Sequence, residues 1–451
     1  MNKIKKIIDV KNTEKSDKET NSQKEFSTLI VAAPDMVGRL IGRRMPFKEV
    51  AKKAKLEVGV CSSVLAWDTE QLPIDGLSIA GFHTGWQDMQ IVSEISSVRP
   101  VSWHNQAAIA IGDIYDKTGE IVPVAPRSIL REQVKRLADI GLTATVATEL
   151  EFYLTPNSKT TQQTVDKRHD YAIDGATDRM ETFFDELRSN LASSNILVES
   201  WQSEWGLGQW EVNLTHGNPI DVADSHILFK LAVKELAIKY GYRANFMAKP
   251  KSSQVGSSGH IHISLRDKSG HSVFFDHSMP HNVSKSCLYA IEGILHYTPE
   301  CMPLYAGNIN SYRRLAAGEF CGHGPSWGFD NRTVTCRVMT GDEESTHLEF
   351  RIPGADINPY LAIAGVLASV RKGISDRRQP NQKVVGDANT ETSQQYPLTL
   401  ESATESFIHS SYSKSEFGAE FVSHLGSHLK HECKQFSGAV TDWELKRYAD
   451  V

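Results

Sequence analysis

The chain has 451 residues, too many for one small module and, at roughly 150 residues per domain, enough for two large domains or about three. Lys plus Arg number 49 against 55 Asp plus Glu, and a net charge of -6 gives no strong field for phosphate backbones or anionic lipid. Hydrophobic residues make up 40%, enough for a large core, and no apolar run approaches the roughly 18 residues of a membrane span; a soluble protein with neither nucleic-acid nor membrane partners is expected.

Residues 1–25 are rich in Lys, Asp, Glu, Asn and Ser, too polar for a secretory leader, and read as a solvated, disordered tail. From 26 to 125, β-favouring runs (STLIVAA, AAIAIGDIYD) alternate with turn signals such as Asp75-Gly76, which predicts a small sheet-rich domain with one helix near residues 46–54. APRSILREQVKRLADIGL then opens with a proline, repeats apolar residues at helical spacing and stops at Gly141, so a boundary falls at about 126. In the remainder, 126–451, strand-like TATVATELEFYL, GQWEVNL, GHIHISL, TVTCRV and HLEFRI are separated by helical DVADSHILFKLAVKELAIKYG and NPYLAIAGVLASVRKGI. That domain is predicted to be α+β. CGHGPSWG (321–328) reads as a mobile loop and 380–397 as a surface loop. The six cysteines are scattered without a CxxC pair, which fits a reducing cytoplasm.

Chemistry-bearing residues recur at strand spacing. Glu149 and Glu151 share one face of TELEF while Leu150 and Phe152 take the other. His260, His262 and Ser264 alternate with Ile261 and Ile263; His347, Glu349 and Arg351 alternate with Leu348, Phe350 and Ile352. Glu204 and Glu211 bracket a turn carrying Gly206 and Gly208. Two readings stand at this point. These faces are either solvated surfaces with ordinary salt bridges to Arg313, Arg314, Arg332 and Arg337, or the walls of one cavity whose crowded carboxylates demand a hard divalent cation. In a shared cavity, carboxylates holding Mg²⁺ or Mn²⁺ beside arginines suit phosphoryl transfer. There is no GxxxxGK[ST] phosphate loop and no HExxH zinc pair.

Seven ordered segments, DMVGRLIGR, TELEF, EWGLGQWEVNL, MAKPKSSQVGSSGHIHISL, NSYRRL, WGFDNR and HLEFRIPGADINPYLAIA, resemble the glutamine synthetase family across nearly everything after the tail. The resemblance implies an α+β fold: a β-grasp-like domain at 26–125 and a catalytic domain at 126–451 whose curved antiparallel sheet forms half of an open funnel flanked by helices. It implies a dodecamer of two stacked six-membered rings, with each active site completed by a neighbour's amino-terminal domain. It makes Glu151, Glu204 and Glu211 ligands of one Mg²⁺ or Mn²⁺, and Glu149, His260 and Glu349 ligands of a second. Glu199, His262 and Ser264 fall where the family contacts ATP, and Arg337 beside the transferred phosphate; Gly256, Arg314, Arg332 and Arg351 fall around L-glutamate.

The departures bear on the acceptor. Ammonia-using members carry a glutamate in the flap where this chain has Phe320, next to Glu319; Phe320 either packs the flap or makes apolar room for a substituent on nitrogen. Asp75, in DGLSI, resembles their ammonium-binding aspartate, while Val255 and His347 replace a usual Asn and Arg. The pattern resembles the γ-glutamyl-amine ligase branch, which joins the γ-carboxylate of glutamate to an aliphatic, aromatic or polyamine acceptor through a γ-glutamyl phosphate. The alternatives are an ammonia-using glutamine synthetase in which Glu319 takes the proton, and a catalytically silent relative acting as sensor or scaffold.

Overall fold

The computed structural model describes residues 26–50, 52–157, 171, 173, 178–318, 320–322, 324–391 and 395–451; the tail at 1–25 and Glu319 lie outside them. Seven strands come first: β1 (Thr28–Pro34), β2 (Leu40–Pro46), β3 (Lys55–Cys61), β4 (Asp88–Glu94), β5 (Arg99–Val101), β6 (Ala107–Ile111) and β7 (Asp113–Tyr115). They form a four-stranded sheet ordered β2-β1-β6-β5, in which β1 and β6 are parallel, and a three-stranded antiparallel sheet ordered β3-β4-β7. The helix expected near 46–54 is one short turn, Phe47–Val50, because only Val50 of it is buried and β3 takes up the chain from Lys55.

The third sheet has eight strands: β8 (Thr143–Pro156), β9 (Val198–Ser203), β10 (Gln209–Leu214), β11 (Tyr242–Asn245), β12 (Ile261–Arg266), β13 (Trp327–Phe329), β14 (Cys336–Met339) and β15 (His347–Phe350). Its order is β13-β14-β15-β12-β8-β10-β9, with β11 also on β8. Every pairing in it is antiparallel except β13 with β14. That exception corrects the reading of 321–328 as loop throughout. Trp327 is buried and donates through Nε1 to Asn381 O (2.7 Å), and Asp330, at φ 45°, lets the chain double back into the parallel position. The polar stretch after 380 runs across this strand, Val384 N donating to Trp327 O (2.8 Å).

Six helices lie between or after these strands: α1 (Pro126–Asp139), α2 (Asp178–Ser193), α3 (Pro219–Lys239), α4 (Lys285–Tyr305), α5 (Ser311–Ala317) and α6 (Pro359–Asp376), of which α3 and α4 pack on the apolar face of the large sheet. Four more, α7 (Leu400–His409), α8 (Ser411–Phe417), α9 (Ala419–Gly438) and α10 (Asp442–Tyr448), finish the chain. Phe152 of β8 packs on Phe229 of α3 and on Phe246, with ring centroids 6.0 and 5.0 Å apart, and Phe350 of β15 meets Tyr305 of α4 at 4.7 Å. Each fully buried ring or leucine contributes roughly 1.5–3 kcal/mol, so the inward residues of TELEF, HIHIS and HLEF fix which face of the sheet is left for chemistry. Helices α4 and α6 approach so closely that a Cβ on Gly293 would lie 2.2 Å from Ser369 O.

Polar ties join the amino-terminal sheets to this layer. Arg127 of α1 donates to Asp113 of β7 (2.6 Å) and, through two nitrogens, to Asp224 of α3 (3.1 Å each). Asn358, which caps α6, also donates to Asp35 O and Met36 O (3.2 Å each). His424 and His428 of α9 both reach Leu65 O, at 2.8 and 3.0 Å.

Candidate active site

Strand register carries the acidic residues to one place. Across β8 and β10, Glu151 stands opposite Glu211 and Glu149 opposite Asn213. On the other side, His262 of β12 stands opposite Glu349 of β15, which in turn faces Arg337 of β14. All of these side chains leave the sheet on the face opposite the helices, because their neighbours in sequence fill the core. One donor atom from each of Glu151, Glu204 and Glu211 lies within 4.8 Å of the others, and the same holds for Glu149, His262 and Glu349. His260, just before β12, contacts Glu149 through Nδ1 and approaches Glu349 Oε1 to 3.1 Å, while His262 Nε2 lies 3.1 Å from Glu149 Oε2. Both imidazoles therefore face Glu149.

Arginines close the other side. Arg351 is ion-paired to Glu349 and donates to Phe320 O (2.9 Å); Arg337 reaches Glu349 Oε2 (3.0 Å) and Asp330. Arg314 donates to Ile352 O (2.9 Å) and lies 3.4 Å from His260 Nε2. Gly256 makes this approach possible: a Cβ there would meet Arg314 Cγ at 2.7 Å.

The electrostatics divide the cluster in two. Burial, then the charges of Glu149 and Glu151, push the Glu211 carboxyl up to about 9, and burial with the Glu204 charge raises Glu151. Burial also opposes charge on Glu149 and Glu349, but His260 and His262 hold Glu149 well below its ordinary value, and His260 with Arg351 does the same for Glu349. The Glu151, Glu204 and Glu211 group thus holds more negative charge than its surroundings balance. An oxygen-rich donor set of this kind fits a hard divalent cation, and the second set, with imidazole and carboxylate, fits one too. Arg351 Nε and Ser258 Oγ are buried with no hydrogen-bond partner, so the pocket also offers donors to a ligand.

Residues 123–448 match the family model described as the glutamine synthetase catalytic domain. The chain belongs to the glutamine synthetase family. It is 33% identical over 442 residues to the glutamate–isopropylamine ligase of a Pseudomonas species, covering 94% of this chain and 95% of that one. It is 34% identical over 434 residues to the gamma-glutamylethanolamide synthetase of Streptomyces coelicolor, covering 94% and 92%. Among solved structures, ligand-free GmaS superposes with a TM-score of 0.83 at 23% identity, over 95% of this chain and 98% of that one, a likeness of fold.

Not every residue that the family resemblance singles out gathers at this cluster. Glu149, Glu151, Glu204, Glu211, His260, His262, Glu349, Arg314, Arg337 and Arg351 do. Ser264 lies two residues further along the same face of β12, and Arg332 is exposed, its charge reaching Tyr171. Glu199 and Asp75 are exposed, and no hydrogen bond or ion pair ties either to the cluster among the described residues. His347 stands beside His262, with Nε2 3.1 Å from its Nδ1.

The structure adds residues that spacing did not reveal. Gln209, almost fully buried, donates to Glu151 Oε2 (3.2 Å) and Gly256 O (2.9 Å) and accepts from Gly206 N (3.0 Å), so one amide positions a carboxylate and the glycine segment together. Gln202 and Asn213 donate to Glu211 at 3.3 and 2.9 Å. Tyr171 donates to Glu204 Oε2 (2.9 Å), and Trp205, directly after Glu204, packs its ring 5.4 Å from that of Phe320.

Proposed function

We propose that the protein is an ATP-dependent glutamate–amine ligase that forms a γ-glutamyl amide. The observation that carries this reading is the single sheet face on which five glutamates and two histidines converge beside Arg314, Arg337 and Arg351, in a chain similar over almost its whole length to two named amine-conjugating enzymes.

A γ-carboxylate oxygen of glutamate attacks the γ-phosphorus of ATP, and the bond from that phosphorus to the β–γ bridging oxygen breaks to release ADP. The amine nitrogen then attacks the carbonyl carbon of the acyl phosphate, phosphate leaves and the nitrogen loses its proton. Glu151, Glu204 and Glu211 would hold one Mg²⁺ or Mn²⁺, and Glu149 and Glu349 with His260 or His262 another, neutralising phosphate oxygens during transfer. Arg337 would balance charge on the moving phosphoryl group, and Arg314 and Arg351, both held by backbone carbonyls, would orient glutamate beside Gly256. Glu199, His262 and Ser264 are assigned to ATP.

The acceptor we infer is an organic amine. Phe320, half-exposed, and Trp205, half-exposed, form an aromatic edge next to Glu204, which suits an apolar substituent on nitrogen better than a second charge. We also assign the protein to a ring assembly with sites shared between copies. The exposure of Asp75 away from its own chain's cluster supports this, as do Val440, Trp443, Leu445 and Tyr448, all exposed at the carboxyl end. No helix among the described residues is long and apolar enough to cross a membrane.

Glutamate labelled with ¹⁸O in its γ-carboxylate tests the chemistry. One labelled oxygen in each phosphate released, together with a γ-glutamyl amide by mass, is the expected result; unlabelled phosphate would refute the acyl-phosphate route.

A further inference from the structure

A second cleft, of about 850 Å³, opens behind the catalytic face between α3, the turn at 307–310 and α9. That volume is in the range of small-molecule pockets, and none of the carboxylates or histidines of the acidic cluster lines it. Lys230 and Lys234, one turn apart on α3, both lie over the ring of Phe246, with Nζ 5.2 and 5.8 Å from its centroid. Arg313 lines the same cleft, its guanidinium 5.8 Å from the centroid of Phe436. Among the described residues, none of these three cations forms an ion pair with a carboxylate.

Three acids, Asp68, Asp356 and Glu432, also line the cleft, and among the described residues none of them is ion-paired to these cations. Asp356 accepts from Asn308 (2.8 Å) and Ser311 (2.7 Å) through Oδ2, while its Oδ1 is buried without a partner. Asp68 is engaged by His431 (3.1 Å), burial and the Asp68 charge raise Glu432, and burial drives His428 down to about 4, so it is neutral. Burial and the neighbouring Lys234 charge press Lys230 down to about 7 in spite of Asp356. An anion beside these ammonium groups would relieve their desolvation and mutual repulsion. The floor is apolar, with Phe246, Leu304, Ile309 and Phe436, so a carbon skeleton is accommodated as well as a charge.

We propose that this cleft binds a small organic carboxylate, its acid group held by Lys230, Lys234 and Arg313 and its skeleton laid on Phe246, Leu304 and Phe436, and that occupancy alters turnover at the acidic site. The connection is short. Arg313 and Arg314 are consecutive on α5, one facing the cleft and the other His260, and Lys230 Nζ donates to Ala355 O (2.7 Å) in the segment that follows Arg351 and Ile352. The binding stands independently of the ligase reading; only the effect on turnover rests on it.

Calorimetry on the full-length assembled protein, without ATP or glutamate, tests the binding with 3-phenylpropionate, its neutral amide and inorganic phosphate. The expected result is saturable binding of the carboxylate, at least tenfold weaker binding of the amide and of phosphate, and at least tenfold loss of carboxylate affinity in Lys234→Met and in Lys230→Met. Binding near pH 7.5 should take up protons in the wild type and not in Lys230→Met. Lys234→Met should keep its turnover without the probe, and the probe should change turnover only in the wild type. No carboxylate binding, equal binding of the amide or phosphate, or unchanged affinity in both variants would overturn the proposal. Because the calorimetry reads no catalysis, a missing ligase activity would leave its result intact.

Discussion

Glu211 shows most plainly what the site asks for. Its carboxyl, pushed up to about 9 by burial and by Glu149 and Glu151, is far more costly to keep charged here than in water, and a divalent cation is the simplest remedy. Glu211→Ala should lower turnover at least a hundredfold and raise the Mg²⁺ concentration needed for half activity; wild-type activity at ordinary Mg²⁺ would remove Glu211 from the metal set. Phe320 is argued at the same scale. Exchanging it for glutamate puts an acid where the aromatic edge with Trp205 stands, so Phe320→Glu should shift kcat/KM from organic amines towards ammonium by about tenfold or more. An unchanged acceptor profile would leave Phe320 with packing alone. The alternation of Glu149 and Glu151 with Leu150 and Phe152 was readable because strand period alone sorts polar from apolar. Gln209 was not, since a buried amide that serves a carboxylate from the next strand leaves no periodic trace.

At the scale of elements, strands whose apolar residues alternate, β8, β10, β12 and β15, and helices with continuous buried faces, α3 and α6, were legible from sequence. The parallel strand β13 was not. Only three residues long, its place is fixed by Trp327 and by the turn at Asp330 rather than by any repeat. Nor does sequence spacing show that α9 docks on the amino-terminal part, where His424 and His428 share Leu65 O. Burial lowers these imidazoles to about 3 and about 4 from an ordinary 6.5. Since the unfolded chain takes up protons first, this contact is fully stabilising above pH 6.5 and is lost as pH falls towards 4, on the order of 3 kcal/mol for each imidazole across that window. Thermal unfolding between pH 7 and 4.5 should fall more steeply for the wild type than for the His424→Gln, His428→Gln double variant. Parallel curves would show that these histidines do not set the acid response.

Over the whole molecule, the buried Arg127 is the joint between β7, α1, α3 and, through Tyr360 on Asp224, α6. Arg127→Met leaves Asp113 and Asp224 buried without that partner and should cost about 3–5 kcal/mol of stability by denaturant titration; a loss under 1 kcal/mol would make the network dispensable. The relation between the amino-terminal sheets and the funnel depends on contacts between surfaces that no local pattern encodes; so would the proposed ring assembly, for which native mass spectrometry showing twelve chains is the expected outcome. The central claim, that one acidic face joins glutamate to an organic amine at the expense of ATP, is tested most directly by an acceptor panel. With Mg²⁺, ATP and glutamate fixed, ADP release should be fastest, by kcat/KM, with an organic amine among ethylamine, isopropylamine, ethanolamine, aniline and putrescine. Faster release with ammonium than with every amine, or no release with any acceptor, would contradict it.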